Sequence, residues 1–302
     1  MLELGKVFSV RGWIAQPGHG KSWSMACEAR DSIEDGVVVV HDPVGDFPLR
    51  EVGVPAAQIR RFRTAAAAIA DVRSSVTAAC WRGIRVVEGD GGDITPGRRT
   101  RRKSGADVLV DGVMAAPPHP PGLLVDGEDG AKKWITDPGI IRAMRDEDPS
   151  LVPRARPWHL ILDEIAHWSA SDSGGAAPDL IRRFMGTIRH YHCRFDWGNQ
   201  NPIGVHSRIR DLSTELFIGR FDGAKDLDCL ARVGAITVEQ VIKIQSLQKR
   251  QFVYVARGGD APPPAEPYIP PEMKKQFESL RRGGGAQIKA AYRQTSMLGD
   301  DK

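Results

Sequence analysis

The sequence has few of the features that mark disulfide-stabilised, zinc-binding or membrane-spanning proteins. It has four cysteines, and no two of them form a C-x-x-C pair, so a zinc or redox site has little support. Its most apolar runs, such as GVVVV at 36–40, are far too short to cross a bilayer. The N-terminus does not resemble a signal peptide. We therefore expect a cytoplasmic protein with free thiols and no stable membrane insertion.

The composition also lacks any extreme that would exclude a globular enzyme. A chain of 302 residues is long enough for one large or two small domains with a sizeable core. Its 41% hydrophobic and 26% charged residues are ordinary for a soluble globular protein. The formal net charge of +4 is mildly basic, which is compatible with a nucleic-acid partner without demonstrating one.

Apolar runs that alternate with helical stretches predict an α/β fold with a mostly parallel sheet. The β-branched run GVVVV at 36–40 is typical of a strand that is buried on both faces, and WHLILDE at 158–164 repeats this pattern. The stretch from 6 to 40 reads as a strand, a loop, a helix and a strand, which is a βαβ unit. Strands are predicted at 6–14, 36–40, 82–90, 158–164, 194–200, 215–221 and 251–259. Helices are predicted at 21–33, 64–73, 138–146, 179–192, 224–234 and 238–249.

Two segments depart from this alternation. Residues 91–133 hold the basic cluster RRTRRK and the run PPHPP, which predicts an insertion with a small hairpin around 106–114. Residues 260–302 are rich in proline and glycine and then basic, which is typical of a linker and an arm. We therefore expect one domain over 1–259 and a separate tail.

The stretch AQPGHGKS at 15–22 nearly matches the phosphate-binding loop G-x-x-x-x-G-K-[ST], with alanine in place of the first glycine. It lies between a predicted strand and a predicted helix, as such a loop requires. Glycines let successive amides point at phosphate oxygens, and the helix adds its positive N-terminal end. The predicted nucleotide-binding residues are Pro17, Gly18, His19, Gly20, Lys21, Ser22 and Trp23.

A carboxylate pair at the end of a second buried strand completes this site. Asp163 follows three aliphatic residues, and with the Ser22 hydroxyl it is a predicted Mg²⁺ ligand. Glu164 is the candidate for polarising the attacking water, and Lys21 would stabilise charge on the phosphates. Both motifs occur in order on a βαβ background, which favours an ATP-hydrolysing site over a chance glycine-rich turn.

Two further stretches resemble the HerA/FtsK superfamily of DNA-pumping ATPases. HDPVGDF at 41–47 resembles the turn that follows the second core strand in that family. GNQNPIG at 198–204 resembles its sensor strand, which ends in a glutamine. The resemblance implies a three-layer, RecA/FtsK-like P-loop NTPase fold. It also implies that Gln200 senses the γ-phosphate or the attacking water.

In its size the chain resembles the genome-packaging ATPases of membrane-containing phages, and the Zot-like phage assembly ATPases are a close second. This resemblance implies a homo-oligomeric ring, expected to be a hexamer, that moves double-stranded DNA, with a capsid portal or vertex protein as a further partner. A viral protein of this kind would lie in the host cytoplasm or in the virion. A non-hydrolysing assembly protein is a third alternative, and a small-molecule kinase a fourth.

Ring ATPases of this kind complete each site with an arginine from the neighbouring subunit. The candidates chosen here are Arg189, on the helix after the carboxylate strand, and Arg210, after the sensor. His190 and His192 invite a metal site, but their spacing matches no standard one, which favours a structural role.

Overall fold

A central sheet of eight strands organises the protein. The structure is a computed structural model, and it describes residues 9–33, 36–75, 83–89, 105–115, 122–126, 132–153, 157–166, 177–232 and 243–256. The strands of the central sheet are β1 (Ser9–Ile14), β2 (Val37–Asp42), β3 (Ile59–Phe62), β4 (Ile84–Glu88), β7 (Trp158–Leu162), β8 (Cys193–Asn199), β9 (Glu215–Ile218) and β10 (Val253–Ala256). A separate antiparallel hairpin consists of β5 (Leu123–Asp126) and β6 (Lys132–Ile135).

The strand order is β10-β9-β1-β8-β7-β2-β4-β3, and every pairing is parallel except that of β10 with β9. The predicted mostly parallel sheet is therefore confirmed. Strand β1 lies inside the sheet, with β8 and β7 on one side of it and β9 and β10 on the other. Because parallel strands end at the same edge, the loops after β1, β7 and β8 meet there.

Helices cover both faces of this sheet, which gives three layers. They are α1 (Lys21–Asp31), α2 (Ala65–Ser75), α3 (Gly105–Ala115), α4 (Pro138–Glu147), α5 (Ala177–Thr187), α6 (Ser207–Leu212) and α7 (Ala224–Arg232). Two short 3-10 helices span Ala56–Gln58 and Ile188–Tyr191. Alternate residues of β2 point to opposite faces: Val38 and Val40 join the core under α1, and Val37 and Val39 join the core under α2, α3 and α5.

The predicted hairpin around 106–114 is wrong, because this stretch lies within helix α3. Its buried residues are Ala106, Leu109, Val110 and Val113, which recur with helical and not with two-residue spacing. They pack in the same core as Ile69 of α2. The hairpin of this region lies further along the chain, at β5 and β6.

Other elements differ from the predictions in smaller ways. The short edge strand β3 was missed because its sequence IRRF lacks a continuous apolar run. Helix α6 was also missed. The predicted helix 179–192 ends as an α-helix at Thr187, continues as a 3-10 turn and closes at His192, whose φ of 45° is left-handed. The helix at 138–146 is confirmed as α4, since the Asp137 carboxylate accepts hydrogen bonds from its first turn.

Several predictions concern residues outside the described ones: the basic cluster at 98–103, the proline run at 117–121, the tail 260–302 and the start of the helix at 238–249. The division into a domain over 1–259 and a tail stays a prediction. Within the described ranges, no helix is both long enough and apolar enough to span a bilayer.

Candidate active site

The loop at 15–22, called here the glycine loop, joins the end of β1 to the start of α1. Gly18 and Gly20 have φ values of 75° and 93°, a left-handed backbone that glycine adopts without steric cost. The amide of His19 donates to the carbonyl of Gln16 at 3.2 Å, which closes a turn before the helix. The first amides of α1 have no acceptor within the helix, so the end of the loop is a place where an anion would bind.

Ala15 fits this loop without strain. It is fully buried, and it is not among the residues with positive φ that the described part of the chain contains. Its methyl group packs against Gly219, where an added Cβ would lie only 2.6 Å from that of Ala15. The glycine that the loop lacks is therefore compensated by a glycine on the neighbouring strand end.

Lys21, Ser22 and Asp163 lie together, as the sequence predicts. The ammonium of Lys21 contacts Asp163 Oδ1 and lies 2.9 Å from Glu164 Oε1, and the Ser22 hydroxyl donates to Asp163 Oδ2 at 2.7 Å. Burial alone would lower the pKa of Lys21, but the two carboxylates raise it above its usual value. Lys21 is therefore charged, at the mouth of an anion-binding loop.

Glu164 is held from two sides. Its residue has a left-handed φ of 50° just after β7, which turns the side chain toward the glycine loop. The side-chain amide of Gln200 donates to Glu164 Oε1 at 2.9 Å. Gln200 is exposed and directly follows β8, which ends at Asn199. The structure thus brings together the predicted base and the predicted sensor.

Asn199 is a site residue that the sequence reasoning missed. Its side-chain oxygen accepts from the amide of Ala166 at 3.1 Å, and its side-chain nitrogen donates to the carbonyl of Asn201 at 2.5 Å. It is buried and joins the segment after β7 to the segment after β8. The available signal was a second amide residue directly before Gln200 at the end of a buried strand.

The turn after β2 has the arrangement that its motif implies. The carboxylate of Asp42 accepts hydrogen bonds from the amides of Val44, Gly45 and Phe47 at 3.2, 2.8 and 2.8 Å. Burial raises the pKa of Asp42, and the nearby charge of Asp163 raises it further. This turn therefore fixes the strand end beside the carboxylate pair.

The predicted metal ligands form a donor set that suits Mg²⁺. The Ser22 hydroxyl and the Asp163 carboxylate are hard oxygen donors in direct contact. Mg²⁺ takes one or two protein oxygens and completes its octahedron with water and phosphate. Within the described ranges, no group of three or more His, Cys, Asp or Glu side chains could hold a metal ion on its own. The residues present fit Mg²⁺ held jointly with a phosphate chain.

The two arginines predicted to act between subunits have different positions. Arg210 is buried, and its guanidinium donates to the carbonyl of Pro202 at 2.5 Å and to Cys229 Sγ at 2.7 Å. This placement does not support an action across a subunit boundary, because the group is engaged within its own chain. Arg189 lies in the 3-10 turn Ile188–Tyr191, and its role stays a prediction.

Two arginines close to the glycine loop were missed. The amide of Gln16 donates to the carbonyl of Arg220 at 3.4 Å, and the amide of Arg250 donates to the carbonyl of His19 at 2.9 Å. The Arg250 guanidinium lies 4.6 Å from the centre of the Trp23 ring. Burial and the charge of Arg220 lower the pKa of His19, so this imidazole is neutral at pH 7.

A buried ionic network lies beneath α1. Arg11 donates to both carboxylate oxygens of Asp196, at 2.7 and 2.5 Å, and also lies 3.2 Å from Glu28 of α1. His159 Nε2 lies 3.0 Å from Asp196 Oδ2. Burial raises the pKa of Asp196, but the charge of Arg11 and, next, that of His159 lower it by more than burial raises it, so the pKa is about 2. The network fixes α1, and with it the glycine loop, on the sheet.

Comparisons with known proteins support the fold. No protein-family model and no curated protein matches the chain. Among solved structures, it is similar to the genome packaging NTPase B204 of Sulfolobus turreted icosahedral virus 2 in complex with ATPγS, with a TM-score of 0.50 and 8% identity over 84% of this chain and 95% of that one. The complex of B204 with sulfate gives 0.50 and 10% over 86% and 98%. VirB4 of Thermoanaerobacter pseudethanolicus gives 0.47 and 13% over 87% and 90%. At such identities the likeness shows the fold alone, and the predicted three-layer α/β fold with a mostly parallel central sheet is confirmed.

Proposed function

We propose that this protein hydrolyses ATP and uses the energy to move double-stranded DNA. ATP hydrolysis is supported by one observation: Glu164 contacts both Lys21 of the glycine loop and Gln200. These groups follow three different strands, β1, β7 and β8. Together they supply a cation for phosphate, a base and a polar group that holds the base. A chance glycine-rich turn would not bring such partners together.

Binding uses the loop and the helix behind it. The amides of the glycine loop and of the N-terminal end of α1 donate hydrogen bonds to the oxygens of the phosphate chain. Lys21 exchanges its contact with Asp163 for the β- and γ-phosphates, which is possible because its flexible stem ends between the carboxylates and the loop. Ser22 and Asp163 would hold Mg²⁺, which when bound neutralises charge on the phosphate oxygens.

The chemical step is direct attack of water on the γ-phosphorus. Glu164 accepts a proton from the water as its oxygen bonds to phosphorus, and the bond from phosphorus to the β–γ bridging oxygen breaks. ADP leaves with the electrons of that bond, and inorganic phosphate is the second product. Gln200 keeps the Glu164 carboxylate directed at the water, and Lys21 stabilises the charge that develops on the leaving oxygens.

The DNA-directed half of the proposal has separate support. The chain shares its fold with B204, which is named as a genome packaging NTPase. We propose that copies of this chain form a ring, a hexamer by the resemblance to the HerA/FtsK superfamily, and that it packages a viral genome through a capsid vertex. Extrusion of phage by a Zot-like mechanism is the alternative that a lack of DNA dependence would favour.

Phosphate release with and without long linear double-stranded DNA tests this proposal. Sedimentation of the same samples shows at which protein concentration a ring forms, and rates are measured above it. A release rate that rises with DNA, and is lost in Glu164→Gln, is expected. Release that DNA does not change would overturn the motor, and a ring without any release would overturn the ATPase.

A further inference from the structure

We propose that Arg250, supported by the Trp23 ring, binds the base of the nucleotide by stacking its guanidinium on it, an inference that rests on the proposed ATP site. Both side chains lie at the glycine loop: Trp23 is the third residue of α1, and the Arg250 guanidinium lies 4.6 Å from its ring centre. A guanidinium is planar and stacks on aromatic rings, so it is suited to a purine.

The sheet order determines the side on which the base must lie. Lys21 and Ser22 direct their polar groups at Asp163, so the terminal phosphate and metal end of the ligand faces β7. Strand β1 separates β8 and β7 on one side from β9 and β10 on the other. The nucleoside end therefore extends toward β9 and β10, and Arg250 lies just before β10.

The backbone around Arg250 is arranged to hold this side chain against the loop. Arg250 has a φ of 67°, a left-handed conformation that is strained for a residue with a long side chain. Its amide donates to the carbonyl of His19, and the turn that contains it is closed by the Gln251 amide, which donates to the carbonyl of Gln248 at 3.1 Å. A turn that needed only this conformation would be more stable with glycine or asparagine.

The glycine loop also makes room for this side chain. A Cβ on Gly20 would lie 2.5 Å from Cγ of Arg250, so the arginine stem occupies the space that the glycine leaves. The loop and the turn therefore fit each other through Arg250, independently of the carboxylate side of the site. Strain that is kept at the edge of a binding loop is typical of a functional position.

Calorimetric titration of the full chain with ATP, and separately with inorganic tripolyphosphate, tests this inference. Arg250→Asn keeps a residue that tolerates the left-handed φ and removes the guanidinium. We expect ATP to bind about tenfold more weakly to this variant, because one cation–π stack is lost. Tripolyphosphate has no base, so its affinity for the variant should stay within about twofold of its affinity for the wild type, a much smaller change than the tenfold loss expected for ATP.

Equal weakening of both ligands, or no weakening of ATP, would overturn the inference. Arg63→Asn is the matched control, since it makes the same change at an exposed arginine just after β3, at the far edge of the sheet, and it should change neither affinity. Arg250→Gly adds a second variant that relieves the strain and should behave like Arg250→Asn. Failure of the proposed function is distinguishable, because the wild type would then bind neither ligand.

Discussion

The side-chain amide of Gln200 donates a hydrogen bond to Glu164 Oε1 at 2.9 Å, across the gap between two parallel strand ends. The same oxygen lies 2.9 Å from the Lys21 ammonium. Glu164 is thus held between a neutral donor and a cation, and the Lys21 contact is the one that a phosphate chain would displace. The proposed function leaves the Gln200 contact in place with nucleotide bound, and we propose that it then positions the carboxylate.

Replacing Gln200 by alanine should lower the rate of hydrolysis more than the affinity for ATP. Without its donor, the Glu164 carboxylate loses its fixed orientation, and misorientation costs about tenfold or more in rate. Measured kcat for phosphate release should fall to this extent, while the Kd for ATP stays within about twofold, less than 0.5 kcal/mol. Gln245→Ala, an exposed glutamine replaced in the same way, should change neither quantity. An unchanged kcat in Gln200→Ala would show that Glu164 does not need this partner.

Gly198 of β8 should not tolerate a side chain. A Cβ there would lie 2.6 Å from Met25 Cε and 2.8 Å from Asp163 Oδ1, so Gly198→Ala must displace the carboxylate that binds Lys21 and Ser22. We expect a loss of about 1–3 kcal/mol in the free energy of unfolding and weaker ATP binding. Both are measurable by urea denaturation and by titration.

The matched control for Gly198→Ala is the same change at Gly186. This glycine lies in helix α5, and an added Cβ would meet no other atom within 4 Å. Alanine there should raise the free energy of unfolding by about 0.5–1 kcal/mol. Two glycine-to-alanine changes with opposite signs would confirm the packing around the site, and equal effects would contradict it.

Arg210 should contribute to stability and not to catalysis in a neighbouring subunit. Its buried guanidinium satisfies the carbonyl of Pro202, so Arg210→Met should lower the free energy of unfolding by about 1–3 kcal/mol. Arg208→Met, at an exposed position of the same helix, should change it by less than about 0.5 kcal/mol. Normal stability of Arg210→Met, with hydrolysis lost in the all-variant ring and partly restored when Glu164→Gln subunits that keep Arg210 are mixed in, would instead restore the trans role.

The Asp196 network predicts a loss of stability in acid. Its pKa of about 2 in the folded protein lies below the value near 3.9 of an unfolded chain, so the carboxylate stabilises the fold above the unfolded pKa. That contribution, about 2 kcal/mol, is lost as the pH falls from about 4 through about 2. Urea denaturation across this range should show the loss in the wild type.

Asp196→Asn should lack this pH dependence and should be less stable at pH 7 by about 3 kcal/mol, since the buried Arg11 loses its bidentate partner and keeps the contact with Glu28. The pKa of Glu28 is raised, mainly by burial, which displaces its titration to higher pH, away from this window. The same slope in both proteins below pH 4 would contradict the assignment to Asp196.

The local parts of the fold and site were predictable from the sequence. The runs at 36–40 and 158–164 are rich in apolar residues without alternation, which is typical of a strand covered on both faces. Both runs form buried strands, β2 and β7. Glycine loops and strand-ending carboxylates are also local features. The structure adds that Asp163 and Glu164 contact Lys21, because β1 and β7, which are separated by β8 alone, are parallel and end at one edge of the sheet.

What depends on long-range packing was not predictable. Helix α3 was mistaken for a hairpin, because VLVDGV has strand-like residues and the helical spacing becomes decisive only where α2 covers it. Nothing local separates Arg210, which is buried, from Arg208, which is exposed two residues away. The pairing of Arg250 with Trp23 joins residues more than 200 positions apart, and only the order of β1, β9 and β10 brings them together.

A single-turnover measurement of phosphate release, with the wild type or Glu164→Gln in excess over ATP and above its Kd for ATP, tests whether Glu164 is the base. Glutamine keeps the size of the side chain but cannot accept a proton from water. We expect ATP to bind the variant as well as the wild type and phosphate release to fall by about a hundredfold or more. Release at the wild-type rate, with ATP bound, would show that Glu164 is not the base and would contradict the account of this site.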